Sequence, residues 1–170
     1  EQSFELLSRS IPGGILGGYV EPGFPLYYVN DRMLAYLGYT YEEFVADIDG
    51  LVMNGIHPDD VEMVSRIAGQ AMEQDSEYEV KYRMKKKDGS YIWVNDVGKK
   101  IMAVDGPAAC ISVVRDISAE IEAKENLYQE IVDSRQQKDV LQNILDTMPS
   151  GLLQCTFERI PKVTLINKTG

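Results

Sequence analysis

The sequence predicts an α+β domain with one antiparallel sheet. Its 170 residues, 26% of them charged and 44% hydrophobic, provide one core of ordinary size. The apolar residues change from helical spacing in the first half of the chain to strict alternation in the second half. Pro-Gly and Asp-Gly pairs separate the apolar runs and predict turns. Together these patterns predict two strands, several short helices and then three more strands.

The first predicted elements are a helix and a hairpin. Residues 1–11 have apolar positions at helical spacing, and the Pro-Gly-Gly sequence at 12–14 ends that helix. Two apolar runs follow at residues 15–20 and 26–29. Because turn-forming residues occupy 21–25 between them, the runs predict an antiparallel hairpin.

Three helices are predicted between the hairpin and the later strands. Asn30 can accept a hydrogen bond from the free N–H groups that follow it, so it predicts a helix start, and Gly38 predicts the end. Thr40 opens the sequence pattern of a capping box, which predicts a second short helix. Pro58, followed by two aspartates, favours a third helix through about Gln74.

The next three elements are predicted to be strands of one meander. Apolar and charged residues alternate over residues 77–85, which indicates a strand with one buried and one wet face. Asp88-Gly89 predicts a two-residue turn into a strand at residues 91–94. The Asp-Gly-Pro sequence at 105–107 predicts another turn, into a strand at residues 109–114.

A long polar helix is predicted at about residues 118–147. So polar a helix cannot bury much surface against its own domain, and a partner helix from a second copy would cover its apolar seam. The alternative is a solvated spacer between modules, and both interpretations can hold together. The residues of this dimer seam are Ile121, Leu127, Ile131, Leu141 and Leu145.

Residues 144–167 repeat the pattern of residues 7–30. The two segments align without a gap and share five identical residues in 24 positions, against roughly one or two expected from average residue usage. Seven further aligned pairs are apolar in both segments. We therefore expect one complete unit and the opening of a second, within a longer protein. The identical pairs are Pro12/Pro149, Gly14/Gly151, Leu16/Leu153, Glu21/Glu158 and Asn30/Asn167.

Composition narrows the possible partners and compartments. The formal net charge is −10, which gives no electrostatic reason to expect nucleic acid or direct contact with an anionic membrane surface. No apolar run is long enough for a membrane span, and the first residues lack the features of a signal peptide. Because Cys110 and Cys155 are too few for a disulfide framework, we expect a reducing, cytoplasmic location.

Catalytic and metal-binding patterns are weak. His57 is the only histidine, and the Pro58 and Asp59 that follow it indicate a helix start instead of a base for a nucleophile. One histidine and two distant cysteines supply no paired ligands for a metal. We expect this segment not to be an enzyme, since an enzyme would need a cleft in which polar groups of shifted pKa converge.

Several short motifs, in this order, resemble a PAS domain with its C-terminal PAC motif, the small sensor module of bacterial signalling proteins. The resemblance covers about residues 7–118. It implies a five-stranded antiparallel sheet with short helices on one face, and a place for a small ligand between them. The motifs are Tyr28-Val29-Asn30, Leu37–Phe44, Ile56–Asp60, Lys87–Val94 and Arg115–Ser118.

The resemblance also implies a domain organisation. Residues 1–11 would form a connector helix, residues 12–117 the PAS/PAC sensor domain, and residues 118–147 a signalling helix. Residues 148–170 would be the truncated start of a second PAS domain. The function that follows is a non-enzymatic sensory and dimerisation module. It would relay binding of a ligand or partner to an output domain of the histidine kinase or diguanylate cyclase type.

The sequence gives no firm support for a cofactor of the kind that related sensors bind. The reactive cysteine of flavin-binding light sensors has no counterpart before Cys110, and His57 is the single candidate for an axial haem ligand. A haem or flavin redox or light sensor and a ligand-free spacer remain the alternatives to a domain that binds an unknown, apolar small molecule. Residues on the predicted inner face could line a pocket or simply pack the core. They are Tyr28, Met33, Leu37, Phe44, Met53, Ile67 and Tyr82.

The step from the last strand into the long helix is the predicted point of signal transmission. In the PAS resemblance, Asp116, Ile117 and Ser118 join these two elements. Asp116 or Ser118 can cap the new helix, while Ile117 can pack at the joint. Plain helix capping would explain the same residues. The expected partners are a second copy of the chain and the neighbouring PAS and output domains.

Overall fold

A five-stranded antiparallel sheet organises the computed structural model, which describes residues 11–103 and 106–147. The strand order is β2-β1-β5-β4-β3, so the first and last strands in sequence are neighbours. This confirms the predicted α+β fold with a five-stranded antiparallel sheet. The strands are β1 (Gly14–Tyr19), β2 (Leu26–Val29), β3 (Tyr78–Lys85), β4 (Tyr91–Met102) and β5 (Ala108–Asp116).

The helices lie between β2 and β3 and after β5, as predicted. A short 3₁₀ helix, which the sequence did not reveal, occupies Val52–Gly55 before the third helix. Its backbone contacts help to close the loop after β1, because the Val52 N–H donates to the Phe24 carbonyl at 3.0 Å. The α-helices are α1 (Asp31–Leu37), α2 (Tyr41–Asp47), α3 (Pro58–Gln74) and α4 (Ser118–Thr147).

Asn30 joins the first hairpin to α1. Its Oδ1 accepts a hydrogen bond from the Met33 N–H at 3.0 Å, as predicted for a helix cap. The same oxygen accepts from the Ile15 N–H of β1 at 2.8 Å. Gly38 then ends α1 with a φ of 80°, a left-handed conformation that favours glycine.

The second and third helices also begin at the predicted caps. Thr40 and Glu43 form both hydrogen bonds of a capping box at the start of α2. At the start of α3, the His57 Nδ1 accepts from the Asp59 N–H at 3.2 Å, and Pro58 takes the first helical position. His57 therefore lies at a helix start, as its sequence neighbours indicated.

Strand β4 is flanked by β3 on one side and by β5 on the other. Its side chains alternate, with Val94 and Asp96 directed to the buried face and Trp93 to the opposite face beside Arg83. The sequence predicted only residues 91–94 of this strand. The polar residues that follow broke the apolar pattern, although the backbone pairing continues to Met102.

The core lies between the helices and one face of the sheet. Each helix between β2 and β3 contributes apolar side chains from its buried face, and the strands contribute alternate residues. This packing places the inner face of β4 under the helices. Members of the core include Leu16, Met33, Leu37, Phe44, Val64, Tyr82, Met84, Val94 and Val114.

The hairpin between β3 and β4 differs from the prediction. Asp88-Gly89 is not a two-residue turn but part of a loop over residues 86–90. The Lys86 N–H donates to the Ser90 carbonyl at 2.8 Å, which leaves three residues at the tip. Gly89 has a φ of 85° there. A two-residue turn was wrong because dipeptide composition alone does not set the strand register.

Helix α4 confirms the long helix predicted at residues 118–147. Its start, up to Glu122, belongs to the compact unit that contains the sheet, and its residues from Ala123 onward form a second unit. None of its residues is buried. No described helix combines the length and apolar character that a membrane span needs. The large apolar side chains exposed on α4 are Leu127, Tyr128, Ile131, Val140, Leu141, Ile144 and Leu145.

Some predictions lie outside the described residues. These are the connector helix at residues 1–10, Asp105 of the last predicted turn, and the second PAS domain at residues 148–170. The predicted turn before β5 is otherwise in place, because β4 ends at Met102 and β5 begins at Ala108.

Replacing Asn30 by alanine is expected to lower the free energy of unfolding by about 2–3 kcal/mol, because two buried N–H groups lose their acceptor. Urea denaturation followed by circular dichroism measures this change. Asn126→Ala, on the exposed surface of α4, is the matched control and should change stability by less than about 0.5 kcal/mol. Equal effects of the two substitutions would contradict the assigned role of Asn30.

Candidate functional site: an internal cavity and the exit junction

A small cavity of about 30 Å³ lies between the sheet and the helices. We call it the Asp96 cavity. On its helical side the walls are apolar and come from Phe24, Val52, Met53, Ile56, Val64 and Ala68. Its sheet side is more polar and is formed by Leu16, Tyr78, Tyr82, Asp96, Cys110 and Ser112.

Asp96 is the charged group of this cavity. It lies on the inner face of β4 and is only 4% exposed. The Tyr82 hydroxyl donates to its Oδ2 at 2.7 Å. The other carboxylate oxygen, Oδ1, is buried and has no hydrogen-bond partner among the described residues. An unpaired carboxylate oxygen in an interior is costly, so its presence beside a cavity marks a candidate site.

Burial raises the pKa of Asp96 to about 6. The hydroxyls of Tyr82, Ser112 and Tyr78 act in the opposite direction by stabilising the charged form. Of these, Tyr82 alone forms a direct hydrogen bond with the carboxylate, while the Ser112 hydroxyl donates to the Leu16 carbonyl at 3.1 Å. Desolvation therefore outweighs hydrogen bonding, and Asp96 titrates close to neutral pH.

Tyr78 and Cys110 form the end of the cavity next to β5. The Tyr78 oxygen and the Cys110 Sγ are 3.3 Å apart. Tyr78 lies directly over Gly98, where an added Cβ would approach the tyrosine hydroxyl to 2.6 Å. Burial raises the pKa of the Cys110 thiol to about 11, which keeps it protonated at neutral pH. Cys110 is therefore a packing group here and a poor nucleophile.

The polar groups of the cavity favour binding over catalysis. The interior is not wholly apolar, so it meets one requirement of an enzyme site, a convergence of polar groups with shifted pKa. The second requirement, an activated nucleophile beside a base, is not met by Ser112, whose proton is committed to a backbone carbonyl. His57, the only histidine, lies at the start of α3 and does not line the cavity.

Two of the seven predicted pocket residues line the Asp96 cavity, namely Met53 and Tyr82. Three others pack at the centre of the core and do not line the cavity. The last two are half-buried. Whether any of the seven binds a ligand stays a prediction. The core residues are Met33, Leu37 and Phe44, and the half-buried ones are Tyr28 and Ile67.

The sequence pattern did not predict Asp96 as a site residue, because the residues predicted on the inner face were apolar or aromatic. The alternation that identified β3 also holds in β4, where Ile92 and Val94 are buried at every second position. Continuing this period by one step places Asp96 on the inner face. A buried position occupied by a carboxylate is a stronger indication of function than another apolar residue.

Asp116, Ile117 and Ser118 form what we call the exit junction. Ile117 is 2% exposed, and its N–H donates to the Trp93 carbonyl at 2.9 Å. The Ser118 Oγ accepts from the Trp93 N–H at 3.0 Å. The Asp116 Oδ1 accepts from the Ser118 N–H at 2.9 Å. Asp116 thus serves the capping role predicted for it, while Ser118 uses its side chain to bind the backbone of β4.

Arg83 connects the exit junction with helix α3. Its guanidinium lies over the Trp93 ring, with the central carbon 5.5 Å from the ring centroid. It also donates two hydrogen bonds to Asp60, from Nε at 2.9 Å and from a terminal nitrogen at 2.8 Å. The Arg83 hydrogen bonds hold the pKa of Asp60 below its usual value. A continuous set of contacts therefore runs from α3 through Arg83 to Trp93.

The predicted dimer residues lie on α4 and are partly or fully exposed. Leu127 and Leu141 are exposed by 58% and 61%, and Ile131 and Leu145 by 44% and 45%. Ile121, in the part of α4 that belongs to the sheet unit, is half-buried. Within residues 123–147, the seam thus has no cover in the described part of the chain.

A five-stranded antiparallel sheet with helices over one face defines the class of this α+β domain, and its internal cavity lies between the two layers. A family model described as PAS fold matches residues 26–115. The chain belongs to this family, as the resemblance in the sequence implied. Domains of the family are generally sensory and non-catalytic, and this one is similar to the PAS sensor domains of histidine kinases and diguanylate cyclases.

Solved structures support the same fold. The N-terminal domain of a diguanylate cyclase with PAS/PAC sensor from Marinobacter aquaeolei is 25% identical, with a TM-score of 0.50 over 64% of this chain and 97% of that chain. A sensory box histidine kinase/response regulator from Burkholderia thailandensis is 19% identical, with a TM-score of 0.59 over 78% of this chain and 98% of that chain.

A curated relative covers a smaller part of the sequence. The uncharacterized protein y4lL of Sinorhizobium fredii is 37% identical over 54 residues, which are 32% of this chain. The matched part spans 6% of the length of that protein. It therefore says nothing about the activity of either chain outside the matched part.

Asp96 should make the stability of the chain fall as pH rises. The folded state holds the Asp96 proton up to about pH 6, whereas an unfolded aspartate releases it near its ordinary pKa of 3.8. Between about pH 5 and about pH 8, the free energy of unfolding of the wild-type chain should therefore fall by roughly 1.5 kcal/mol. The Asp96→Asn variant should not show this fall. Urea denaturation of both chains across this range measures the gap.

The matched control for this pH experiment is Asp139→Asn, which removes one negative charge from the exposed surface of α4. Its stability should run parallel to that of the wild-type chain at every pH. If the curve of Asp96→Asn runs parallel as well, Asp96 does not titrate between the two states and its assigned pKa is wrong.

Proposed function

We propose that this chain is a non-enzymatic sensory and dimerisation module of a bacterial signal-transduction protein. Binding of a ligand or partner changes the exit junction, and α4 passes the change to an output domain outside this sequence. The observation that carries the proposal is the pair of hydrogen bonds between the exit junction and Trp93. Trp93 lies on β4, the strand that also presents Asp96 to the cavity.

The first step of the proposed relay is a change at the Asp96 cavity. Asp96 pairs with Val114 of β5 in the sheet register, and Val94 pairs with Asp116. A group that binds Asp96 therefore acts on β4, which begins beside the exit junction, and on β5, which ends there. Because β4 also carries Trp93, a small shift of β4 against β5 would move the Trp93 N–H and carbonyl, to which Ser118 and Ile117 are hydrogen-bonded.

A second input to the exit junction comes from the helices. Asp60 at the start of α3 holds Arg83 through two side-chain hydrogen bonds, and Arg83 contacts the Trp93 ring. Movement of α3, which lines the cavity through Val64, would displace this guanidinium. The relay then has one route through the strands and one through the ion pair.

The size of the cavity supports a small ligand over a large cofactor. Sites for drug-sized ligands usually have volumes of at least about 300 Å³. The Asp96 cavity, with about 30 Å³, is far smaller than a haem or a flavin requires. This favours the small-molecule sensor over the haem or flavin alternative.

Dimerisation through α4 follows from its exposed seam. Apolar side chains at near-heptad spacing on an otherwise polar helix are typical of a coiled coil. Their exposure in a single copy, as at Leu127 and Ile131, supports a second copy of the chain as the partner. A dimer of signalling helices would also give the relay two arrangements between which a ligand can select.

We place the sensor domain at residues 12–117, the signalling helix at residues 118–147 and the start of a second PAS domain at residues 148–170. Residues 1–11 would be a connector from an upstream module. The repeat in the sequence supports this series. The similar structures include domains of a diguanylate cyclase and of a histidine kinase, and we propose one of these as the type of output domain. The cysteine content supports a cytoplasmic location.

The relay can be tested by using the Asp96 proton as the stimulus. Backbone amide resonances in the first turns of α4, from Ile121 to Leu127, should shift with an apparent pKa near 6 in an NMR titration. The shifts should be absent in Asp96→Asn. They should shrink in Ser118→Ala, which loses the hydrogen bond to Trp93. Titration confined to residues of the sheet in the wild-type chain would overturn the relay.

The dimer can be tested with paired helix variants. Leu127→Ser with Ile131→Ser should convert a dimer to a monomer, because two buried apolar contacts per helix are lost. Sedimentation equilibrium measures the molecular mass in solution. Glu125→Ser with Gln129→Ser has the same spacing and the same loss of helix propensity away from the seam, and it should leave the dimer intact. A monomeric wild-type chain would refute dimerisation.

A further inference from the structure

Three of the polar side chains that line the Asp96 cavity, Asp96, Tyr82 and Ser112, offer hydrogen-bond acceptors. Asp96 Oδ1 is an acceptor with no partner among the described residues. Tyr82 gives its proton to Asp96 Oδ2, and Ser112 gives its proton to the Leu16 carbonyl. What these two hydroxyls can still offer a ligand is oxygen lone pairs. Tyr78 and Cys110 contact each other at 3.3 Å, and either of them can be the donor in that contact. The unpartnered acceptor of the cavity is Asp96 Oδ1, which suits a ligand that donates a hydrogen bond.

No cation of the described chain compensates Asp96. Among residues 11–103 and 106–147, neither lysine nor arginine forms an ion pair with this carboxylate. Lys100, the lysine on the same face of β4, donates its Nζ to the Met72 carbonyl at 3.3 Å. The other titratable groups around the cavity are Tyr78, Tyr82 and Cys110, which are neutral when protonated. A buried negative charge is thus left for a ligand to neutralise.

The remaining walls set the size of the ligand and its apolar part. A cavity of about 30 Å³ holds a group of only a few heavy atoms. Three aromatic side chains line it, from Phe24, Tyr78 and Tyr82. Aromatic rings attract cations electrostatically, and they do so more strongly where water is excluded. The buried, uncompensated Asp96 carboxylate and the aromatic walls together disfavour an anionic ligand.

We propose that the Asp96 cavity binds a small ammonium-type cation, either the ammonium ion or a short primary amine, with an N–H group donating to Asp96 Oδ1. This rests on the proposed function, because it names the ligand class of the proposed sensor site. The cation supplies the missing donor to Oδ1 and the missing positive charge together. Its other N–H groups reach the lone pairs of Tyr82 and Ser112. Mg²⁺ and Ca²⁺ take six or more oxygen ligands, whereas the side chains that line this cavity present five oxygens, from Asp96, Tyr78, Tyr82 and Ser112.

The test is thermal unfolding of the 170-residue chain with ammonium chloride or methylammonium chloride. At about pH 8, at least one of these two salts should raise Tm as its concentration increases to about 200 mM. The rise should be saturable and should reach about 5 °C near saturation. Sodium chloride at equal ionic strength should not. Saturation with ammonium alone assigns the ion as ligand, and saturation with methylammonium assigns a primary amine. Equal shifts with sodium chloride, or none with either probe, overturn the proposal.

Variants locate the site. Asp96→Asn should abolish the saturable rise in Tm, whereas Asp139→Asn on α4 should retain it. If Asp96→Asn fails to fold, the wild-type chain still supplies a test. At about pH 5 a proton occupies Asp96 and competes with the cation, so the apparent affinity should fall about tenfold from its value at pH 8. An affinity that does not change with pH, or a rise in Tm retained in Asp96→Asn, places the cation elsewhere.

The binding test and the relay test fail separately. Cation binding without any change in the amide resonances of α4 would support the proposed ligand class and contradict the proposed relay. A proton-driven change in α4 without cation binding would keep the relay and overturn the ammonium-type ligand.

Discussion

The pairing of β4 with both of its neighbours is the constraint on which the domain depends. β4 lies between β3 and β5 and pairs with both of them from Val94 to Gly98, so its position is fixed from both sides. Alternation along this one strand then sends Asp96 into the cavity and Trp93 to the opposite face. The ligand site therefore lies on one face of β4, and α4 is attached to the backbone of the same strand at Trp93.

Asp96 lowers the stability of the fold it occupies. A buried carboxylate with one satisfied oxygen is less stable than a neutral group of the same shape, and the raised pKa expresses that cost. The surrounding contacts tolerate it because Asn30, the capping box at Thr40 and the Asp60–Arg83 ion pair secure the elements around the cavity. A destabilising buried side chain in an otherwise stable domain is typical of a functional residue.

Much of the fold was predictable because local chemistry determines it. Caps at Asn30 and Thr40 and the alternation over β3 depend on near neighbours, and the structure has them where the sequence indicated. The length of β4 and the loop at residues 86–90 depend on register, which pairing partners set. The cavity was less predictable, since its lining comes from seven separate segments and its volume is what imperfect packing between them leaves.

The energy available at Asp96 is sufficient for the proposed relay. A ligand shifts a conformational equilibrium only by the difference in its affinity for the two states. A pKa raised from 3.8 to about 6 corresponds to about 3 kcal/mol between the charged and neutral forms. Allosteric couplings typically amount to about 1–3 kcal/mol. Neutralising this one carboxylate can therefore supply the coupling, provided that α4 responds to the small displacement of Trp93. The Ile117 N–H donates to the Trp93 carbonyl at 2.9 Å and the Trp93 N–H donates to the Ser118 Oγ at 3.0 Å, and in the proposed relay these two short hydrogen bonds carry the displacement to α4.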